Sequence, residues 1–227
     1  MLVGPRPKEL NSRWRHAGRL ARSDVLAISR RTFLGKAVVG VAVAALPPAF
    51  SWGREADSPI SAGVLRRALD ALARHGGSIA HRDAIGIADF SLPSSAPRFH
   101  LLSLADGGVR SHLVAHGRGS DPGHTGWLER FSNEPRSQAT SAGAFKTDSV
   151  YVGEHGQSIR LEGLDESNSN AASRAIVVHG AWYVSEEIAR ERRVLGRSEG
   201  CFAVAQSSIR EVLAALGPGR LIYADKA

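Results

Sequence analysis

Residues 98–116 read RFHLLSLADGGVRSHLVAH, two runs of β-type residues on either side of the turn signal Ala-Asp-Gly-Gly. Side chains that change character every second residue suit a strand with one buried face, and the glycines supply the reversal between two such strands. The pattern returns over residues 149–164, SVYVGEHGQSIRLEGL, again strand, turn, strand. Two hairpins of this kind predict a sheet as the main element of the fold. Residues 84–90, AIGIADF, alternate loosely, AIVV at 175–178 is a short apolar strand, and RLIYA near the end is another. Helices are fewer. Val64, Leu65, Ala68, Leu69 and Leu72 share one helical face between Ser58-Pro59 and the stop Gly76-Gly77. A short helix is expected over 185–195, capped by Ser185, and another over IREVLAAL, capped by Ser207 or Ser208. Residues 117–143, rich in Gly, Ser, Asn and Pro, predict a long exposed loop. The body reads as mainly β, a β-sandwich or open barrel with a few short helices.

The front of the chain has a different texture. SRRTFLGK at 29–36 precedes the apolar run AVVGVAVAAL and Pro47-Pro48. A basic stretch, a short apolar run and small residues beyond it make up an export signal, and the run is too short to cross a bilayer core that needs about 20 residues. Arg30 and Arg31 followed by Phe33-Leu34 match the twin-arginine form of that signal. We therefore expect residues 1–51 to be an export signal, 52–82 an N-terminal helical segment and 83–227 the main domain. The protein would reside in the periplasm or cell envelope, or be secreted. An uncleaved signal acting as an anchor, or a buried core helix, are the alternatives.

The leader also accounts for the charge. The whole chain has 29 Lys/Arg, 22 Asp/Glu and a net charge of +7. Nine of the basic and two of the acidic residues lie in 1–51, leaving 20 of each sign in the body. A basic excess normally suggests nucleic acid or an anionic surface. Here it is confined to the leader, so no nucleic-acid partner is expected, and the membrane enters only through the signal.

The chain has one cysteine, Cys201, in GRSEGCFAV, so no internal disulfide can form. A thiol becomes a useful nucleophile when a neighbour takes its proton and donors stabilise the charge that develops. Four of the nine histidines precede a glycine: His75, His116, His155 and His179. His75 ends a helix and reads as a polar terminus. His116 and His155 sit at ends of hairpin strands and could line a groove. His179 follows a fully apolar strand, a rigid place from which to aim an imidazole, and precedes the cysteine by 22 residues. Gly196 and Gly200 permit a tight backbone path that can turn the N–H groups of Gly200 and Cys201 toward an oxyanion. Ser198 could bond the imidazole or the backbone of that turn. The bland alternative is a small buried cysteine packed beside Phe202, with glycines marking a loop.

VVHGAWYVS followed by GRSEGCFAV resembles the signature of YkuD-type L,D-transpeptidases, and more closely the murein L,D-transpeptidase catalytic-domain branch. The likeness extends through ADFSLPSSAPRFHLLSL, VAHGRGSD, RFSNEPRSQATSAGAF and GEHGQSIRLEGL, covering roughly residues 83–223. It implies an L,D-transpeptidase-like β fold and a thioester acyl-enzyme on peptidoglycan stem peptides, with no cofactor or metal. By position, Cys201 is then the nucleophile, His179 the base, and Ser198 with Gly200 the supporting turn. Gly180 lets the histidine segment pack closely. His155, His116 and Arg197 are candidate substrate contacts, with Arg160 a further arginine to consider. Two departures stand out. Glu199 occupies a place where many relatives have histidine, and Phe202 follows the cysteine where commoner members have Arg or Asn. Resolution of the thioester by an amine gives a cross-link, and by water an L,D-carboxypeptidase. Two competing readings remain open. One is an inert wall-binding module. The other is a zinc peptidase using His112, His116, Asp121 and His124, although four residues of strand separate the first two by some 13 Å.

Overall fold

The computed structural model describes residues 58–227. The segment expected to be an export signal, with Arg30 and Arg31, lies outside the described residues. The first element is helix α1 (Ala62–Arg74), which buries Val64, Ala68 and Ala71. Its C-cap is His75, one residue before the expected glycine stop. Nine strands follow: β1 (Ala84–Asp89), β2 (Phe99–Ser103), β3 (Val109–His112), β4 (Val114–Ala115), β5 (Gly143–Gly153), β6 (Gly156–Gly163), β7 (Val177–Ala181), β8 (Phe202–Ala205) and β9 (Leu221–Asp225). Helix α2 (Glu186–Arg192) lies between β7 and β8, and α3 (Ile209–Ala215) between β8 and β9.

The strands form one mixed sheet in the order β3-β2-β1-β9-β5-β6-β7-β8-β4. Only Leu113 separates β3 from β4, yet these strands lie at opposite ends of that order. The sheet must therefore curl until its edges approach each other, giving the open barrel expected of the body. Both predicted hairpins are present. β2 pairs antiparallel with β3, and β5 with β6 through a register shift between Thr147 and Val150. The interior is filled from several strands by Phe90, Phe99, Phe145, Ile159, Leu161, Val178, Phe202, Val204 and Ile222. A second cluster joins α1 to Ile85, Ile87, Leu102, Leu221 and Tyr223. Burial of apolar area on this scale supplies the main stabilising term.

Three expectations shift. Segment 117–143 carries no long strand, but it is not simply exposed: Ser120, Asp121, Ala139, Thr140 and Ser141 are fully buried. Its backbone is held by specific bonds, such as Gly119 N–H to Gln138 O at 3.0 Å and Thr140 N–H to Ser120 Oγ at 2.9 Å. Strand β7 starts two residues later than AIVV predicted, because Ala175 takes a left-handed conformation (φ 53°) that no strand can include. Finally, β8 emerges from the segment that its glycines had marked as a turn. Helix α2 begins as predicted. Ser185 Oγ accepts from Ile188 N–H at 3.1 Å, and Arg193 ends the helix at φ 60°.

Candidate active site

Strands β7 and β8 run parallel, with Val178 opposite Phe202 and His179 opposite Ala203. Side chains on a strand alternate between faces. His179 and Ala203 therefore share one face, and the alternation carried one step ahead of β8 puts Cys201 on it too. The other face, with Val178 and Phe202, points into the core. Strand spacing and rise place His179 and Cys201 one diagonal step apart, about 8 Å between Cα atoms. That is within reach of an imidazole and a thiol extending toward each other.

The two side chains rest in separate bonds. Cys201 Sγ donates to Ala175 O at 3.6 Å, and the Val177 N–H points at the sulfur. Among the described residues no hydrogen bond joins Sγ to the imidazole. Burial pushes the thiol above its ordinary value of 9.0, opposed by the Val177 N–H and the Arg174 guanidinium, so the resting group is a thiol. His179 Nδ1 lies 3.0 Å from Gly180 O. A carbonyl only accepts, so Nδ1 carries the proton and Nε2 keeps its lone pair. Burial pulls His179 below its ordinary 6.5, helped by neighbouring His155, and the ring is neutral at neutral pH. A neutral imidazole beside a protonated thiol is a base waiting for its acid. His155 sits in the two-residue turn between β5 and β6. Its exposed ring stacks on His179, with centroids 4.3 Å apart and planes at 25°. His179 itself is 2% exposed.

The turn before the cysteine is built from its own side chains and from the VAHGRGSD segment. Ser198 Oγ donates to Cys201 O at 2.7 Å and accepts from Gly200 N–H at 3.2 Å, so it bonds the backbone of the turn and not the imidazole. Gly200 has φ 119°, a conformation that disfavours any side chain. Residues 116–118 pair alongside: Ser198 N–H donates to His116 O at 2.9 Å, and Arg118 N–H to Ser198 O at 2.8 Å. Gly117 lies so close that a Cβ would fall 2.2 Å from Gln138 O and 2.7 Å from Gly200 N. Glu199 points outward and pairs with Arg118.

His116 was expected to line a groove; it is instead buried behind the turn, 1% exposed. Its Nδ1 accepts from Arg98 Nη2 at 2.6 Å, and Nε2 lies 3.4 Å from Asp121 Oδ2. Burial brings it down to about 4, with the charge of Arg98 acting the same way, so it is neutral. Arg98 is fully buried and also donates to Leu92 O and Val114 O, holding the segment whose carbonyl orients Ser198. Arg197 turns away to the carbonyls of Asp121 and Pro122, a clamp on the backbone. Gly180 packs against α3, where a Cβ would sit 3.3 Å from Ile209 Cγ2. Arg160, opposite Val177 in the β6–β7 pairing, lies over the Tyr151 ring, 4.2 Å from its centroid.

The four residues of the zinc reading do not converge. His112 faces Glu211 at 3.8 Å, His124 Nε2 donates to Leu195 O at 2.8 Å, and only His116 and Asp121 meet. Among the described residues no group of three or more His, Cys, Asp or Glu is placed to hold a metal ion. His75 bonds Asp165 at 2.8 Å, a link from α1 to the sheet.

Sequence reasoning missed two neighbours of the thiol. Arg174, just before β7, feels Cys201 electrostatically, and Tyr183 has its phenol pushed up to about 12, first by burial and then by Cys201. Arg174 lies outside the two short motifs, and Tyr183 lies inside VVHGAWYVS as a residue whose chemistry the motif does not advertise. Both could have been sought by asking what the residues flanking β7 must face.

No curated protein matches the sequence. Three solved structures are similar to part of the chain. An L,D-transpeptidase from Mycobacterium smegmatis is 14% identical, with 63% of this chain and 58% of that one covered and a TM-score of 0.38. An L,D-transpeptidase from Xylanimonas cellulosilytica gives 16%, 64% and 62%, and 0.40. The helical cell shape determining protein Pgp2 from Campylobacter jejuni gives 12%, 73% and 56%, and 0.41. The chain spans less than two thirds of the length of each. A family description, the L,D-transpeptidase catalytic domain, matches residues 56–224. That span takes in α1, the nine strands but for Asp225 at the end of β9, and both residues of the proposed thiol–imidazole pair, and the chain belongs to the L,D-transpeptidase catalytic domain family.

Proposed function

We propose that this protein is a cysteine-dependent murein L,D-transpeptidase acting on peptidoglycan stem peptides. The observation that carries the reading is the shared face of β7 and β8, on which His179 and Cys201 lie within reach in a chain of this family. Rotation of the thiol from Ala175 O toward Nε2 lets His179 take its proton. Sγ then attacks the carbonyl of the L,D-peptide bond in a donor stem. N–H groups of the turn hold the oxyanion; that of Gly200 leaves its 3.2 Å bond to Ser198 to do so. The C–N bond breaks, the imidazolium protonates the departing D-amino acid, and a thioester remains on Cys201. The amine of a neighbouring stem displaces the sulfur and forms a cross-link. Water in its place gives L,D-carboxypeptidase trimming.

A second reading, an inert wall-binding module, is favoured by one observation: Sγ bonds Ala175 O while His155 covers the imidazole. Incubation of the purified protein with disaccharide-tetrapeptides, read by mass, separates the two. Cross-linked dimers lacking one D-alanine support transpeptidation, and tripeptides support trimming. No product, with Cys201→Ala indistinguishable from wild type, supports the module. We further propose export to the periplasm or cell envelope by the signal containing Arg30 and Arg31. Replacing both by lysine should keep a tagged protein in the cytoplasm, and unchanged fractionation would overturn that route.

A further inference from the structure

Phe202 stands where the resemblance leads one to expect an arginine or asparagine directly after the cysteine. It is fully buried, stacked at 6.3 Å on Phe90 and edge-on at 5.4 Å to Phe145. Its place on the core face of β8 rules out any service to the thiol from this position. The cation near Cys201 comes from elsewhere in the chain.

Arg174 lies immediately before Ala175, whose left-handed backbone reverses the chain into β7. That reversal sends the Ala175 carbonyl to Cys201 Sγ and the Arg174 side chain to the other side of the nucleophile's turn. There the guanidinium forks. Nη1 donates to Ser132 O and Ser141 Oγ, both at 2.7 Å, and Nη2 donates to Ser137 Oγ at 3.2 Å and to Ala139 O. The same Nη2 lies against Gly200, 3.1 Å from where a Cβ would stand. Four acceptors from segment 132–141 thus fix one charge beside the residue preceding the nucleophile. None of these acceptors is a carboxylate, so the positive charge is not cancelled where it sits. With four N–H groups committed to the protein, the fork is poorly placed to capture a substrate carboxylate.

We propose that Arg174 is a positioning residue of the L,D-transpeptidase site, which locks segment 132–141 onto the nucleophile's turn and holds a cation there in support of the Cys201 thiolate. The proposal rests on the reading of Cys201 as the nucleophile. The other charged and titratable groups facing the sulfur are Glu199 on its own turn, neutralised by Arg118, and His179 with His155 on β7 and the β5–β6 turn. Tyr183, from the segment after β7, is neutral up to high pH.

The pH profile of Cys201 alkylation by iodoacetamide in the full chain tests this directly, because the chain has no other thiol. It needs no peptidoglycan, so it stands whether or not the muropeptide assay yields product. Arg174→Met should move the midpoint upward by about one pH unit or more, slowing alkylation at pH 7.5 by roughly tenfold, as loss of an adjacent opposite charge does. Arg174→Lys, which keeps a charge but not the fork, should stay within about threefold of wild type. Ser137→Ala with Ser141→Ala loosens the loop without touching the charge and should leave the midpoint in place. A wild-type profile in Arg174→Met overturns the proposal. So does an equal displacement in the lysine and methionine variants, or a midpoint in the double serine variant as high as the one expected for Arg174→Met. Should Arg174→Met fail to fold, Arg174→Gln, which removes the charge and keeps an amide donor, takes its place with the same expected displacement. A displaced profile with muropeptide turnover unchanged would overturn the link to catalysis while leaving the proposed function intact.

Discussion

At the residue scale, the two faces of β8 divide the labour. Cys201, one residue ahead of the strand, turns to the face that carries His179, and Phe202 faces the core at zero exposure. Restoring the arginine of commoner relatives at 202 would place an unpaired charge among Phe90, Phe145 and Val204, at a cost of about 3–5 kcal/mol. Phe202→Arg should therefore lower the urea midpoint sharply; an unchanged midpoint would show that position 202 can turn outward. On the proposed mechanism His179 sets the pH dependence. It must be neutral to accept the thiol proton, and burial holds it below its ordinary 6.5. kcat/KM should accordingly stay level as pH falls from 8 to 6.5 and drop only below that, along a single acid limb. A limb centred above 6.5 would mean that another group is the base. Cys201, His179, Ser198 and Gly200 could be singled out from two short motifs. Arg174 could not, since its role depends on the left-handed turn at Ala175, a conformation that an alanine does not announce.

At the element scale, the hairpins were legible because alternation and glycine turns are local signals. The parallel pairing of β7 with β8 was not, because it joins segments separated by a helix and no local pattern encodes that partnership. The same holds for the contact between residues 116–118 and the turn before Cys201, which converts an apparent groove histidine into a buried support. That contact is tightest at Gly117. The Cβ of Gly117→Ala would meet backbone atoms on two sides, and backbone cannot swing away as a side chain can. The substitution should destabilise the fold by about 1–3 kcal/mol. It should also lower kcat on the order of 100-fold, the effect of displacing a reacting group by about 1 Å. Wild-type kcat in a folded Gly117→Ala protein would show that the turn is positioned by other contacts.

At the scale of the whole molecule, the curled sheet closes over histidines that it keeps neutral. His100 and His116 are fully or almost fully buried, and both are brought down to about 4, first by burial. In the unfolded chain each would take up a proton near 6.5. Between pH 6.5 and 4 the unfolded state therefore binds up to two more protons than the folded state. Stability should fall as pH falls, with a limiting slope of about 2.7 kcal/mol per pH unit for the pair. Above 6.5 both are neutral in either state and add nothing further. Domains of this kind hold about 5–15 kcal/mol in all, so a loss of up to about 7 kcal/mol by pH 4 is a large share of the whole. Thermal melts from pH 7.5 to 4 should show Tm flat above 6.5 and falling steeply below it. A Tm independent of pH across that window would mean that the buried imidazoles take up protons in the fold as readily as in the unfolded chain.

The proposed chemistry turns on the sulfur of Cys201, deprotonated by His179, carrying the donor stem as a thioester. Intact-protein mass spectrometry during incubation with a tetrapeptide donor, without an acceptor amine, reads that species directly. The expected result is a mass gain equal to the donor less its terminal amino acid, mapped to Cys201, absent in Cys201→Ala and much slower to form in His179→Ala. An adduct mapped to any other residue, or product released by Cys201→Ala at the wild-type rate, would rule this mechanism out.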